Sequence, residues 1–223
     1  YYIAAINIET AYEGLTAHDG QLGDYQPFEG IVLTDTFQMS EEGDPMDHVF
    51  FPHNNARADR QKTLDIRVIL GNPPYSVGQS SQNDDNQNLK YPTLDRSIEL
   101  TYVKQSTATN KNKLYDSYIR AFRWATNRIT AGPSGGIVGF VSNGGWLDGN
   151  SADGIRRAFA SEFHHIYVFN LRGNQRTAGE LSRREGGKVF GAGSRNTVTI
   201  TLLVKEPELV PAGGAQIHYR DVG

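Results

Sequence analysis

Ile66-Arg67-Val68-Ile69-Leu70 is a short, largely β-branched apolar run that stops abruptly at Gly71-Asn72-Pro73-Pro74-Tyr75. A run of this kind reads as a buried strand ending at a sheet edge. Covalent geometry dictates the path of the chain beyond it. Each proline fixes φ and lacks an N–H, and the residue before a proline is driven out of the helical region. Asn72-Pro73-Pro74 must therefore leave the strand as a stiff extended segment. In an open α/β sheet, ligands bind just beyond the carboxyl ends of the strands, which is where these residues would sit.

The chemistry suited to that stiffness is recognition of a planar nitrogen carrying two hydrogens. The Asn72 side-chain oxygen and the Pro73 carbonyl are two acceptors, and an exocyclic NH₂ offers two donors. Two acceptors drawing on one amine withdraw its lone pair from conjugation and free it to attack a methyl donor. Tyr75 supplies a flat face for a heteroaromatic ring. The plainer reading is a tight turn that only stops the sheet. A chance match to this four-residue string is expected roughly once in a thousand chains of this size.

Asn72-Pro73-Pro74-Tyr75 after an apolar strand resembles the catalytic motif of the S-adenosylmethionine-dependent amino-methyltransferases, above all the adenine-N6 DNA methyltransferases. Segments 1–13, 31–37, 114–129, 135–147 and 197–205 resemble successive elements of that domain. The likeness is closest to the methyltransferase region of large single-chain restriction–modification proteins, which also carry nuclease, helicase and target-recognition parts. It implies a three-layer α/β fold with a mostly parallel sheet, an antiparallel strand near 197–205, and truncation at the N-terminal side. It also implies S-adenosylmethionine as cofactor, double-stranded DNA as partner, and catalytic roles for Asn72, Pro73, Pro74 and Tyr75. Asp35, at the end of Ile31-Val32-Leu33-Thr34-Asp35, resembles the acid that contacts the cofactor adenine, with Phe37 close enough to cover the ring. The residues alone leave open that Asp35 merely caps a turn.

Charge distribution is the second constraint. The net formal charge is −3, which by itself argues against nucleic-acid binding. Every Lys and Arg, however, lies from Arg57 onward. The most basic stretch, 172–195, carries Arg172, Arg176, Arg183, Arg184, Lys188 and Arg195. Phosphate contact is its functional reading, and a solvated loop the alternative. The absence of cysteine excludes a disulfide scaffold and a thiolate zinc site and fits a reducing cytoplasm. No apolar run approaches a membrane span. Asp47, His48 and His53 match no familiar metal spacing. A chain opening at Tyr1, with no Gly-x-Gly cofactor loop before Asn72, reads as one partial methyltransferase domain over 1–223, cut from a longer polypeptide.

Hydrophobic periodicity supplies the remaining elements. A helix is expected from Tyr2 to about Gly14, then a strand over 31–35 and a polar loop over 40–55. A mobile loop over 76–88 would serve as a lid over a substrate or as a connector without function. Helices are expected over 93–105 and 111–129, the latter with Leu114, Tyr118, Phe122 and Ile129 inward and Arg120, Arg123 and Arg128 in water. A strand over 137–142, a helix over 151–163 with Arg156 and Arg157 exposed, and strands over 166–171, 197–205 and 216–219 complete the chain. Trp146 either walls a substrate pocket or packs on the next helix. Two further functional readings stand beside DNA methylation. Glutamine-N5 protein methyltransferases share the four-residue motif because a carboxamide is also a planar NH₂ group. The chain could equally be an inactive structural or DNA-contact module.

Overall fold

The computed structural model describes residues 2–16, 25, 27–41, 51–74, 90–174, 178–187, 189, 196–207 and 213–222, with only the backbone of Thr16 and Leu181. The chain packs as two compact units, Tyr1–Leu64 and Asp65–Gly223.

In the first unit, helix α1 (Tyr2–Thr16) runs two residues past Gly14 and leaves Tyr2, Ile3, Ile6 and Leu15 exposed. Tyr12 packs its ring 5.3 Å from Phe28. Helix α2 (Pro52–Thr63) opens on a proline, which is pre-set for a first helical turn. Its sequence has no apolar stripe, so periodicity does not reveal it. The strand expected over 31–35 does not form: these residues are irregular, and Leu33 is exposed. The reason is visible in its hydrogen bonds. Asn54 of α2 accepts from the Leu33 N–H at 2.7 Å and donates to the Leu33 carbonyl at 2.8 Å, so a side-chain amide takes the place of a strand neighbour.

The second unit is built on five strands: β1 (Val68–Gly71), β2 (Gly136–Asn143), β3 (His165–Asn170), β4 (Val198–Lys205) and β5 (Gln216–Asp221). Their order is β1-β2-β4-β3-β5. Strands β1, β2, β3 and β5 run one way, and β4 is antiparallel to both of its neighbours. The antiparallel strand expected near 197–205 is therefore present, at the centre of the sheet.

Helix α3 (Pro92–Ile98) continues into a π-helical turn, Glu99–Val103, and buries Leu94, Ile98 and Tyr102 completely. Helix α4 (Ser117–Thr130) is preceded by a 3₁₀ turn, Asn112–Tyr115, and by Asp116, whose extended backbone and side chain cap it through the Tyr118 N–H. The single helix expected over 111–129 is thus broken at Asp116, as Asp favours caps over helix interiors. Short helix α5 (Gly145–Asp148) comes after β2, and α6 (Asp153–Glu162) comes after α5. Phe122 of α4 meets Phe140 of β2 at 5.0 Å, Phe159 of α6 at 5.3 Å and Trp146 at 6.0 Å. Trp146 is a packing residue, 3% exposed between Phe122 and Phe159. At Gly154 a Cβ would stand 1.9 Å from the Tyr102 carbonyl, so α6 approaches the π-turn as closely as glycine permits.

Two expectations are overturned. Arg120 and Arg123 are buried, not in water. Arg120 binds Asp95 bidentately at 2.8 and 2.9 Å, and Arg123 donates to both oxygens of Glu162 at 2.8 and 3.0 Å. Arg156 is half-buried and donates to the Trp146 and Gly149 carbonyls. By register, Leu70, Gly139 and Leu202 share one sheet face, as do Val141, Ile200 and Phe169. Leu70 is 72% and Leu202 39% exposed, whereas Val138 and Leu203 on the other face are fully buried. Within the described residues of this unit, the helices lie on one face of the sheet, which gives two of the three expected layers. No helix of the described residues is long and apolar enough to cross a membrane.

A one-sided core makes a sharp prediction about stability. Phe159→Ala should cost about 3–5 kcal/mol, the usual penalty for emptying a buried aromatic site. Phe169→Ala, on the uncovered face, should cost well under half of that. Urea unfolding of the two variants checks the contrast; equal costs would mean that the second face is also packed.

Candidate functional site

Sheet direction decides where the chemistry can lie. Strands β1, β2 and β3 run parallel, so Asn72, the turn after Asn143 and the segment after Asn170 all leave from the same end of the sheet. The last of these joins β3 to its antiparallel neighbour β4, so the whole basic insertion, 171–197, begins and ends there.

At the carboxyl end of β1, Asn72 and Pro74 are exposed and Pro73 is buried. The buried ring anchors the segment while Asn72 projects. Its side chain makes no hydrogen bond among the described residues. The exposed Asn72 amide oxygen is an acceptor open to an incoming donor. Tyr75 and the expected lid over 76–88 lie outside the described residues.

Beside Asn72, the end of β2 is shaped by Asn143, whose side-chain oxygen accepts from the Gly145 N–H at 2.8 Å. The Gly144 N–H donates to the Thr197 carbonyl at 2.7 Å, which ties this turn to the start of β4. Opposite it, the segment after the π-turn is held by Asp153. That carboxylate accepts from Ser106 Oγ at 2.6 Å, from the Thr107 N–H at 2.9 Å, from Thr107 Oγ1 at 2.7 Å and from the Gly154 N–H at 2.9 Å. The Ser106 hydroxyl, then the Thr107 donors, hold its carboxyl well below the usual carboxylate range.

The basic insertion is fastened at its base. Arg172 adopts φ 58°, its N–H donates to Asn170 Oδ1 at 2.9 Å, and its guanidinium pairs with Asp221 at 3.0 Å and donates to the Arg184 carbonyl at 2.8 Å. Arg172 therefore holds the loop to β5. Arg183 and Arg184 close helix α7 (Glu180–Arg184) on the surface, with Arg184 facing Glu180 at 3.1 Å. A pair this exposed contributes little to stability and leaves the cation available to an anion. Arg176, Lys188 and Arg195 lie outside the described residues. In the first unit, Asp35 is half-buried, and its Oδ1 accepts from the Phe37 N–H at 2.9 Å. The turn-capping role that the sequence leaves open for Asp35 is thus realised, with the Phe37 ring two residues away. The described residues hold no cluster of three or more His, Asp or Glu able to bind a metal.

The Asp153 clamp sets an acid limit on this end of the molecule. Its folded-state pKa lies below the unfolded value, so its stabilisation is complete above about pH 4 and is lost as pH falls below that. Asp153→Asn should flatten this part of the acid limb. Thermal melts of both proteins between about pH 6 and pH 3 check it; parallel curves would show that the clamp does not titrate.

No protein-family model and no curated protein matches the chain. Solved structures do match, three of them as detailed here. One is a nuclease-deletion mutant of the Type ISP restriction-modification enzyme LlaGI in complex with a DNA substrate mimic. It is 48% identical with TM-score 0.87, over 100% of this chain and 17% of that one. The ATP-dependent Type ISP restriction-modification enzyme LlaBIII bound to DNA is 43% identical with TM-score 0.87, over 99% of this chain and 14% of that one. A DrdV–DNA complex is 39% identical with TM-score 0.82, over 100% of this chain and 20% of that one. The chain thus spans a fifth or less of each of these proteins, and it is similar from end to end to one region of the Type ISP restriction-modification enzymes LlaGI and LlaBIII.

Proposed function

We propose that this chain is the catalytic-motif part of an adenine-N6 DNA methyltransferase working within a larger restriction-modification protein. The observation that carries the reading is the placement of Asn72-Pro73-Pro74. The segment emerges, exposed at Asn72 and anchored at Pro73, from the carboxyl end of a parallel strand, at the same end of the sheet as the basic insertion. Its similarity to regions of enzymes solved with DNA supports DNA as the partner.

An adenine within a duplex cannot be reached in the stack, so the base must be turned out into the site. Asn72 Oδ1 and the Pro73 carbonyl would accept hydrogen bonds from the two N–H groups of its N6 amine and so withdraw the nitrogen lone pair from conjugation with the ring. Tyr75 stacks on the base. S-adenosylmethionine, when bound, supplies an electrophilic methyl group. Asp35 and Phe37 would hold its adenine end, as the family resemblance implies. Arg183, Arg184, Arg176, Lys188 and Arg195 supply positive charge for the phosphate backbone. The work of the chain's own residues is positioning and hydrogen-bond polarisation.

In the intact protein, Asn72→Ala should lower methylation by ~10²–10³-fold, the usual effect of deleting one hydrogen bond made to developing charge. The melting temperature should hardly move, because the side chain is exposed. Incorporation of labelled methyl groups into DNA measures it, and near-normal incorporation would dismiss the role. Tyr75→Phe should keep, and Tyr75→Ala should lose, the brightening of a fluorescent adenine analogue that reports the unstacked base. Stacking of this kind is worth ~1–3 kcal/mol.

A further inference from the structure

Arg172 opens the basic insertion, but its surroundings set it apart from the arginines that close α7. Arg183 and Arg184 stand on the surface, the Arg184 side chain 69% exposed. The Arg172 side chain is 22% exposed, and two nitrogens of its guanidinium are already engaged. Nη2 donates to Asp221 Oδ2 at 3.0 Å, and Nη1 donates to the Arg184 carbonyl at 2.8 Å. A planar guanidinium gives its hydrogen bonds direction as well as strength, so a fork filled in this way fixes the two groups that it joins. Here they are β5 and the returning arm of the insertion.

The backbone beneath that side chain is built for the same purpose. Arg172 adopts φ 58°, a left-handed conformation that an L residue other than glycine rarely takes. It is held from β3, where Asn170 Oδ1 accepts from the Arg172 N–H at 2.9 Å while the Asn170 amide nitrogen donates to the Tyr219 hydroxyl at 3.0 Å. A cation meant only for solvent needs no such support. The next two residues complete the closure: the Gly173 N–H donates to the Glu185 carbonyl at 3.1 Å, and the Asn174 N–H donates to Glu185 Oε2 at 2.9 Å. The two arms of the insertion are thus tied to each other, and through Asp221 to the sheet, at the residues that adjoin Arg183 and Arg184.

We propose that Arg172 is a positioning residue and not a phosphate contact: paired with Asp221, and with Glu185 closing the loop, it presents Arg183 and Arg184 to the phosphate backbone of a DNA duplex. This rests on the reading of the insertion as the part that faces DNA. Long exposed side chains lose freedom on binding, and a base that fixes where they start lowers that cost. Asp221 therefore strengthens binding to a polyanion although its own charge opposes it.

That conflict of sign supplies the test. Fluorescence anisotropy of a labelled mixed-sequence duplex measures binding by the intact protein and its variants at low salt, where a single charge counts most. Charge alone predicts that Asp221→Asn binds more tightly, because a carboxylate is gone and the Arg172 guanidinium is released to phosphate. Positioning predicts the reverse, a loss of about three- to tenfold, the size of the cost of ordering one long side chain on binding. Asp221→Glu keeps the carboxylate and should bind near the level of the unaltered protein. Thermal melts separate lost positioning from lost fold. Should Asp221→Asn melt early, Glu185→Ala carries the same contrast from within the insertion: it too removes a negative charge and should bind DNA more weakly. Binding by the folded Asp221→Asn or Glu185→Ala protein that is as tight as the unaltered protein's, or tighter, overturns the proposal, and so does an Asp221→Glu protein as weak as Asp221→Asn. An unaltered protein that binds no duplex overturns the DNA reading itself, whereas normal binding that is indifferent to Asp221 and Glu185 removes only the positioning role.

Discussion

Phe122 is the residue on which the arrangement of the second unit turns. Its ring sits among Phe140, Trp146 and Phe159, so one buried side chain from α4 touches the sheet, the turn after β2 and α6. Aromatic groups bury large apolar areas and gain further from tilted ring contacts. Because α4 is pinned this way, its capped start at Asp116 stands at the carboxyl end of the strands. The turn at Asn143 to Gly145 depends on that position. The chemistry-bearing end of the sheet is therefore a consequence of a core formed several residues below it.

Much of this is legible in the sequence because it depends on local rules. The stop at Asn72-Pro73-Pro74 comes from proline geometry, and the strands near 137–142, 166–171, 197–205 and 216–219 come from their apolar runs. The inward positions Leu114, Tyr118, Phe122 and Ile129 come from helical spacing, and all four are buried. The antiparallel direction of β4 comes from family resemblance, since alternation does not encode direction.

The illegible parts depend on distant partners. Arg120 and Arg123 read as solvated because the carboxylates that pair with them are distant in sequence. Their carboxylates, Asp95 and Glu162, come from other helices, and Tyr91 and Tyr102 lie beneath the guanidinium groups at 5.4 and 5.3 Å. A buried charge is tolerable only when such a set is complete. The same logic explains the missing strand over 31–35. An apolar run becomes a strand when a neighbour takes its hydrogen bonds, and here Asn54 takes them instead.

The base of the basic insertion has a consequence for how such a protein can change over evolutionary time. Leu171 donates to the Val198 carbonyl and Val198 donates to the Arg172 carbonyl, so the insertion hangs from a closed pair of antiparallel strands. Lengthening a loop whose ends are already clamped costs little, about 0.6 kcal/mol for each doubling. Residues can be added, removed or exchanged between Arg172 and Val198 without disturbing the register of β3 on β4 or the position of Asn72. The molecule thus separates a part whose geometry is fixed from a part whose length is only loosely constrained.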